Sequence, residues 1–286
     1  MWPFHQKQEA SRATTGPARV YAVGDVHGRL DLLQILLRQI EDDAIATAAG
    51  NTFLILLGDY VDRGPQSREV IELLASYRPP LMRVYCLKGN HEQALTRFLD
   101  DPVGGEAWAV NGGRETMLSY GVIPPPAGLP EAEAASAWEA ARLELGEALP
   151  PSHRAFLQAL QLWVTIGDYL FVHAGVRPGA PLDQQSEHDL LWIRKDFLEA
   201  RKASDKVIVH GHTPENEPFL GRWRIGIDTG AYATGLLSAV RLEGTEQIIL
   251  QARLSQDSSL PGPPLNGPLR EPARQAPPKK QSMSAG

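Results

Sequence analysis

The sequence predicts an α/β fold on a mainly parallel sheet, with a partly antiparallel second half. Three observations predict it. From Arg19 to Leu99, short apolar runs alternate with helix-period segments. Glycine-flanked Asp, His and Asn residues follow those runs directly. After the middle of the chain, further short apolar runs are joined by tight turns such as Gly167-Asp168. A βαβαβα order calls for parallel pairing with right-handed crossovers. Short turns between strands call for antiparallel pairing.

Residues 1–17 are polar and aperiodic and read as disordered. The first strand is Arg19–Val23. A helix follows the Gly24–Gly28 turn, because Leu30, Leu33, Leu36, Leu37 and Ile40 recur at helical spacing. Thr52–Leu57 is continuously apolar, as a strand covered on both faces is. Val70, Ile71, Leu74 and Tyr77 share a helical face. Leu81–Leu87 reads as the third strand and Glu92–Leu99 as the third helix. Gly121–Pro151, rich in Pro, Ala and Glu, reads as an excursion from the domain, with Glu131–Gly146 as a surface helix. Strand character resumes at Trp163–Ile166, Tyr169–His173, Lys206–His210, Trp223–Asp228, Leu236–Leu242 and Gln247–Arg253. The domain therefore spans 18–254, with 121–151 as an insertion. From Ser255 a Pro-, Ser-, Gln- and Lys-rich tail reads as disordered.

Composition narrows the function. With 43% hydrophobic and 22% charged residues the chain can bury a full core. Its net charge of −6 gives no basic footprint for nucleic acid. The single cysteine, Cys86, excludes an internal disulfide and reads as a small buried hydrophobe. No apolar run reaches membrane-span or signal-peptide length, so a cytoplasmic location is expected, with no membrane partner. Oligomeric state is not legible.

The chemistry sits at strand ends. Asp25 and His27 lie in GDVHG, Asp59 in GDYVDRG, and Asn90 with His91 in GNHE. His173 ends a later strand, and His210 and His212 flank Gly211 after another. Ligands of open α/β sheets bind beyond the carboxyl ends of strands. Singly, each residue is turn chemistry or a satisfied polar group. Five strand ends all carrying metal-type side chains make a metal site the better reading. No thiolate is present, so the carboxylate, imidazole and amide set suits Mn, Fe, Zn or Mg. Six ligands exceed what one catalytic ion with an open position needs. They suit two ions about 3.5–4 Å apart that share a carboxylate and a hydroxide.

The ordered blocks GDVHG, GDYVDRGP, GNHE, NGG, HAG, LLWIR and HGHTP resemble the calcineurin-like metallophosphoesterases. Within them the likeness is to PPP-type Ser/Thr phosphatases with bacterial and phage members. That resemblance implies a sandwich of two mixed β-sheets flanked by helices. It implies that Asp25, His27 and Asp59 hold one ion, with manganese the first expectation. Asp59 then bridges to a second ion completed by Asn90, His173 and His212. His91 matches the general acid, Asp62 the carboxylate that orients it, and Arg63 and Arg194 the phosphate clamp. Asp228-Thr229-Gly230 resembles a strand-end turn beside the site. The implied activity is a dinuclear-metal protein serine/threonine phosphatase, with phosphorylated proteins or peptides as partners.

A second histidine two residues after His212 occurs in many superfamily members. Here that position is Pro214, as in the PPP-type subclass. His210 reads as structural, and His5, His153 and His188 as surface positions. Tyr232 is a candidate lining residue. The nearest enzymatic rival is a symmetrical diadenosine tetraphosphate hydrolase. Those relatives tend to lack the carboxylate matching Asp62 and to carry Asp in place of Glu92. A decayed binding scaffold is disfavoured by the intact ligand set, and a nuclease by the acidic charge.

Overall fold

The computed structural model describes residues 13–47 and 50–254. The expectations for residues 1–12 and for the tail after Leu254 lie outside these. Residues 13–17 were expected in the disordered start, but backbone contacts pin them. Thr14 N–H donates to the Asp168 carboxylate, and its carbonyl accepts from Asp168 N–H. Thr15 N–H donates to the Gly244 carbonyl.

Two five-stranded mixed sheets form the sandwich that the motifs imply. The first has the order β10-β9-β1-β2-β3. Here β1 (Ala18–Val23), β2 (Asn51–Leu56) and β3 (Arg83–Cys86) are parallel. Strands β9 (Leu236–Glu243) and β10 (Glu246–Arg253) run antiparallel. The second sheet has the order β4-β5-β6-β8-β7. Its parallel centre is β5 (Tyr169–Val172), β6 (Val207–His210) and β8 (Arg224–Gly226). Strands β4 (Trp163–Ile166) and β7 (Phe219–Leu220) are its antiparallel edges.

Alternation along β1 explains its double burial. Val20 and Ala22 face the inter-sheet core with Ile55, Phe171, Val209 and Ile225. Tyr21 and Val23 face the helical layer with Leu33, Leu36, Leu37 and Ile40. That layer contains α1 (Leu30–Thr47), α2 (Ser67–Ser76) and α3 (Asn90–Asp100). Helix α4 (Gly105–Trp108) runs through a π-type segment, Ala109–Gly113, into α5 (Arg114–Ser119). Both sheets end their parallel strands at one edge, where the glycine-flanked motifs lie.

Helix α6 (Glu131–Ala148) forms in the expected place but is not a detached excursion. Trp138, Ala141 and Leu145, at helical spacing, bury an apolar face. Trp138 meets Phe98 of α3 edge-on at 6.0 Å. Helix α7 (Pro151–Ala159) follows and packs on α2. His153, expected at the surface, is fully buried there. Its Nδ1 meets the Tyr120 hydroxyl at 2.8 Å and its Nε2 the Glu72 carboxylate at 2.7 Å. Those partners satisfy a polar ring that sequence spacing assigns to solvent. The remaining helices are α8 (Glu187–Trp192), α9 (Lys195–Leu198) and α10 (Ala231–Thr234). No helix among the described residues is long and apolar enough to cross a membrane.

Candidate metal centre and active site

The turns after β1 and β2 are sewn together by backbone. Val26 and His27 N–H groups donate to the Asp59 carbonyl at 3.1 and 2.8 Å. Gly28 N–H donates to the Tyr60 carbonyl at 2.8 Å. Glycine is required where these loops touch. A Cβ on Gly89 would strike the Asp59 carboxylate, and one on Gly211 would strike that of Asp25.

Asp59 lies at the centre. Its Oδ2 is 3.6 Å from His27 Nε2 and 3.9 Å from His91 Nε2, while its Oδ1 is 3.4 Å from His173 Nε2. One buried carboxylate thus addresses two groups: His27–Asp59–His91 and Asp59–His173–His212. Asn90 joins the second, its Oδ1 lying 2.9 Å from His173 Nε2 and 2.8 Å from His212 Nδ1. Asp25 borders both. It is buried, and its oxygens accept from His212 N–H at 3.0 and 3.2 Å.

The donor set fits divalent cations. His173 Nδ1 is 2.8 Å from the Leu57 carbonyl, so it carries the proton. His173 Nε2 therefore presents a lone pair to the oxygens of Asn90 and Asp59, with no proton between them. A cation is what such converging lone pairs need. His27 shows the same design, with Nδ1 at 2.9 Å from the Val61 carbonyl and Nε2 directed inward. Arg63 Nη1 donates to that Nε2 at 3.0 Å and so brings positive charge to this position. His212 Nε2 is buried without a hydrogen bond of full geometry.

Electrostatics point the same way. Burial, then Asp228 and Asp59, raise the Asp25 carboxyl well above its ordinary range. Burial pushes Asp228 up to about 6, with Asp59 adding to the effect. Burial would also raise Asp59, but the surrounding histidines, His173 foremost, outweigh it and hold that carboxyl low. Burial pushes His27 down to about 3 and His212 down to about 2, and it lowers His173. Neutral imidazoles are the form that ligates a metal, and the crowded carboxylates reach theirs when a cation takes the place of their protons.

His91 and Asp62 form a dyad, with Nδ1 and Oδ2 2.7 Å apart. Asp62 is locked by Trp108 Nε1 at 2.9 Å and by the Thr116 hydroxyl at 2.6 Å. Burial would depress the His91 pKa, but Asp59 and the bonded Asp62 outweigh it and raise the imidazole. Arg63 N–H donates to the Gly112 carbonyl, so the NGG segment holds the loop that carries the arginine. Arg63 also stacks 4.7 Å over the Tyr232 ring, which meets His27 edge-on at 5.4 Å. Tyr232 therefore lines the site. Arg194 is exposed and lines the cavity beside His91, with Nη1 3.3 Å from the Thr213 hydroxyl.

The structure brings together Asp25, His27, Asp59, Asp62, Arg63, Asn90, His91, His173 and His212, with Arg194 at the rim. His210 stays out of the centre. Its Nδ1 meets the Gly211 carbonyl, Arg224 donates to its Nε2, and Phe197 packs edge-on against its ring. His188 is exposed and stacks on Trp192. Cys86 is partly buried, and burial pushes its thiol up to about 12, which leaves no thiolate for attack.

Glu92 is the residue that sequence reasoning undervalued. Its carboxylate accepts from the N–H groups of Asp59, Tyr60, Val61 and Gly89 at 2.7–3.2 Å. Two loops are fixed by one buried side chain. Burial and Asp59 push its carboxyl up to about 7 in spite of those donors. The signal was its place in GNHE, three residues into a helix start, where Glu reaches back to the cap.

A two-sheet sandwich with paired metal-ligand groups, a His–Asp dyad and rim arginines defines a dinuclear metal-dependent phosphoesterase. The family model described as "Calcineurin-like phosphoesterase" matches residues 18–235, and the chain belongs to that family. Among its relatives is the asymmetrical bis(5'-nucleosyl)-tetraphosphatase PrpE of Geobacillus sp. (strain WCH70). It is 27% identical over 264 residues, covering 82% of this chain and 95% of that protein. The protein of the same name from Anoxybacillus flavithermus (strain DSM 21510 / WK1) is 26% identical, over 79% and 91% of the two chains. A crystal structure of a protein provisionally named a diadenosine tetraphosphatase aligns with TM-score 0.56 at 21% identity, over 84% and 98% of the chains. A cold-active protein tyrosine phosphatase aligns with TM-score 0.50 at 18% identity, over 84% and 82%. The structural likeness bears on fold alone. The sequence relatives carry a nucleotide-hydrolase name in place of the protein phosphatase name that the motifs imply.

Proposed function

We propose that this chain is a two-metal hydrolase of nucleoside polyphosphates, with Mn2+ the first candidate for its ions. The observation that carries the reading is the central Asp59, whose two oxygens address separate histidine groups. Asp25, His27 and Asp59 would hold one ion, and Asp59, Asn90, His173 and His212 the other. When bound, such a pair supplies Lewis acidity to the phosphoryl group and makes an attacking water more acidic. The chain's own residues supply the rest. Arg63 and Arg194 would hold the phosphoryl oxygens. Asp62 keeps the His91 Nδ1 proton engaged, so Nε2 is the atom that gives a proton to the departing oxygen. The raised His91 imidazole keeps that proton available near neutral pH.

The relatives' names support a nucleotide as substrate. Exposed Trp192 and Tyr232 beside the centre offer stacking faces for a base. A cytoplasmic setting suits such a substrate. The second reading is a phosphorylated serine or threonine side chain, which the intact Asp62–His91 pair favours.

A metal-by-substrate panel decides between them. Bis(5'-adenosyl) tetraphosphate should be turned over with higher kcat/KM than phosphopeptides. ATP plus AMP would mark off-centre cleavage and ADP alone central cleavage. Preference for phosphopeptide would overturn the nucleotide reading.

A further inference from the structure

We propose that the cavity beside His91 receives the leaving group, and that Arg97 on its wall, two helical turns from Asn90, binds a second anionic group carried on it. The proposal rests on the reading of His91 as proton donor, because the leaving oxygen must then lie on the His91 side.

The cavity has a volume of about 390 Å3, and His91, Arg63 and Arg194 are among the residues that line it. Trp192, Val103 and Arg97 also line it. Arg97 belongs to α3, the helix that begins with Asn90. Asn90, Ala94 and Arg97 follow the i, i+4, i+7 spacing of one helix face. Two turns separate Asn90 from Arg97, a rise of about 10.5 Å. Those turns and the arginine side chain together span a short polyphosphate chain.

Arg97 is exposed and makes no side-chain hydrogen bond or ion pair among the described residues. Its charge acts on Glu187 at longer range. That carboxylate is already bonded by Lys88 Nζ at 2.7 Å and Gln93 Nε2 at 3.1 Å. A guanidinium facing the same cavity as a phosphate clamp is matched to a second phosphate. Val103, 85% exposed at the rim, offers apolar contact to whatever follows the phosphates. A serine or threonine leaving group carries no charge for Arg97. A leaving group that is itself a nucleotide does.

The test is competitive inhibition of p-nitrophenyl phosphate hydrolysis by the full-length protein, with free Mn2+ held constant. Tripolyphosphate should inhibit with a lower Ki than orthophosphate. Arg97→Ala should raise the tripolyphosphate Ki about tenfold, the scale of a lost charge-assisted contact, while the orthophosphate Ki moves far less. Arg97→Gln, which keeps chain length, should narrow the same gap. Arg83→Ala removes an exposed charge outside the cavity and should leave both Ki values and basal turnover unchanged. Equal shifts in both Ki values, no shift in either, or no wild-type preference for tripolyphosphate would overturn the proposal. Cleavage of bis(5'-adenosyl) tetraphosphate is scored separately. A protein that ignores the dinucleotide but keeps the Arg97-dependent gap loses the nucleotide substrate and keeps the anionic subsite.

Discussion

His27, Asp59, Asp62, Arg63 and His212 are the non-glycine residues with positive φ among those described, and all five belong to the site. Left-handed backbone at such residues costs on the order of 1–3 kcal/mol each, so surrounding bonds must hold it. Around one of them, Asp59, Glu92 accepts four backbone N–H bonds, two to each oxygen. Glu92→Gln should therefore destabilise the protein strongly. The amide nitrogen would face N–H donors, and two lost acceptor contacts cost about 2–4 kcal/mol. Urea unfolding checks this, and a midpoint equal to wild type would refute the brace. At the dyad, His91→Asn should keep both metals, since the ring is committed to Asp62. Turnover should drop about 100-fold or more for poor leaving groups and far less for p-nitrophenol. Metal content measured beside the rates separates the roles, because lost metal would make His91 a ligand.

At the scale of elements, α6 shows what sequence could and could not show. Its helical period was visible, but its partner was not. Trp138 packs on Phe98, and Gly105 leaves room for the indole ring. Trp138→Ala should cost about 3–5 kcal/mol, as large-to-small core changes do. A thermal shift within error of wild type would show a surface helix after all. His153 was misplaced for a similar reason. Its carboxylate partner, Glu72, is 81 residues away, a contact that local polarity does not encode. The metal-type residues were legible because each sits directly behind an apolar strand whose period is short and strong. Edge strand β7 has only two residues, too few for any period to show. The π-type segment at Ala109–Gly113 was visible as NGG but not as a brace. Its hydrogen bond to Arg63 joins parts of the chain that only the tertiary fold brings together.

On the scale of the whole molecule, the sandwich gathers carboxylates that repel one another, and metal should relieve that repulsion. Asp59→Asn should bind metal far more weakly than wild type, by calorimetry, and two tightly bound ions would contradict its bridging place. The pH dependence follows from the same charges. Well above pH 6.5, the ordinary histidine value, the buried neutral histidines bind almost no proton in either folded or unfolded chain. Asp25, Glu92 and His91 still differ between the two states, because their folded pKa values are raised. A raised value means that the folded state holds the proton longer. Its contribution to stability is complete below the unfolded value and is lost as pH rises through the folded one. Each such group removes up to about 1.4 kcal/mol per pH unit in its window. The chelator-treated protein should thus lose stability as pH rises through about 7, the folded value of Glu92, with Asp25 and His91 acting in the same direction. At Asp25 a bound cation takes the place of the proton, and metal affinity itself grows as ligands deprotonate. The rise in Tm on adding Mn2+ should therefore widen across the same range. A gap that narrows with rising pH would mean that the carboxylates at these strand ends are not the groups holding the ions.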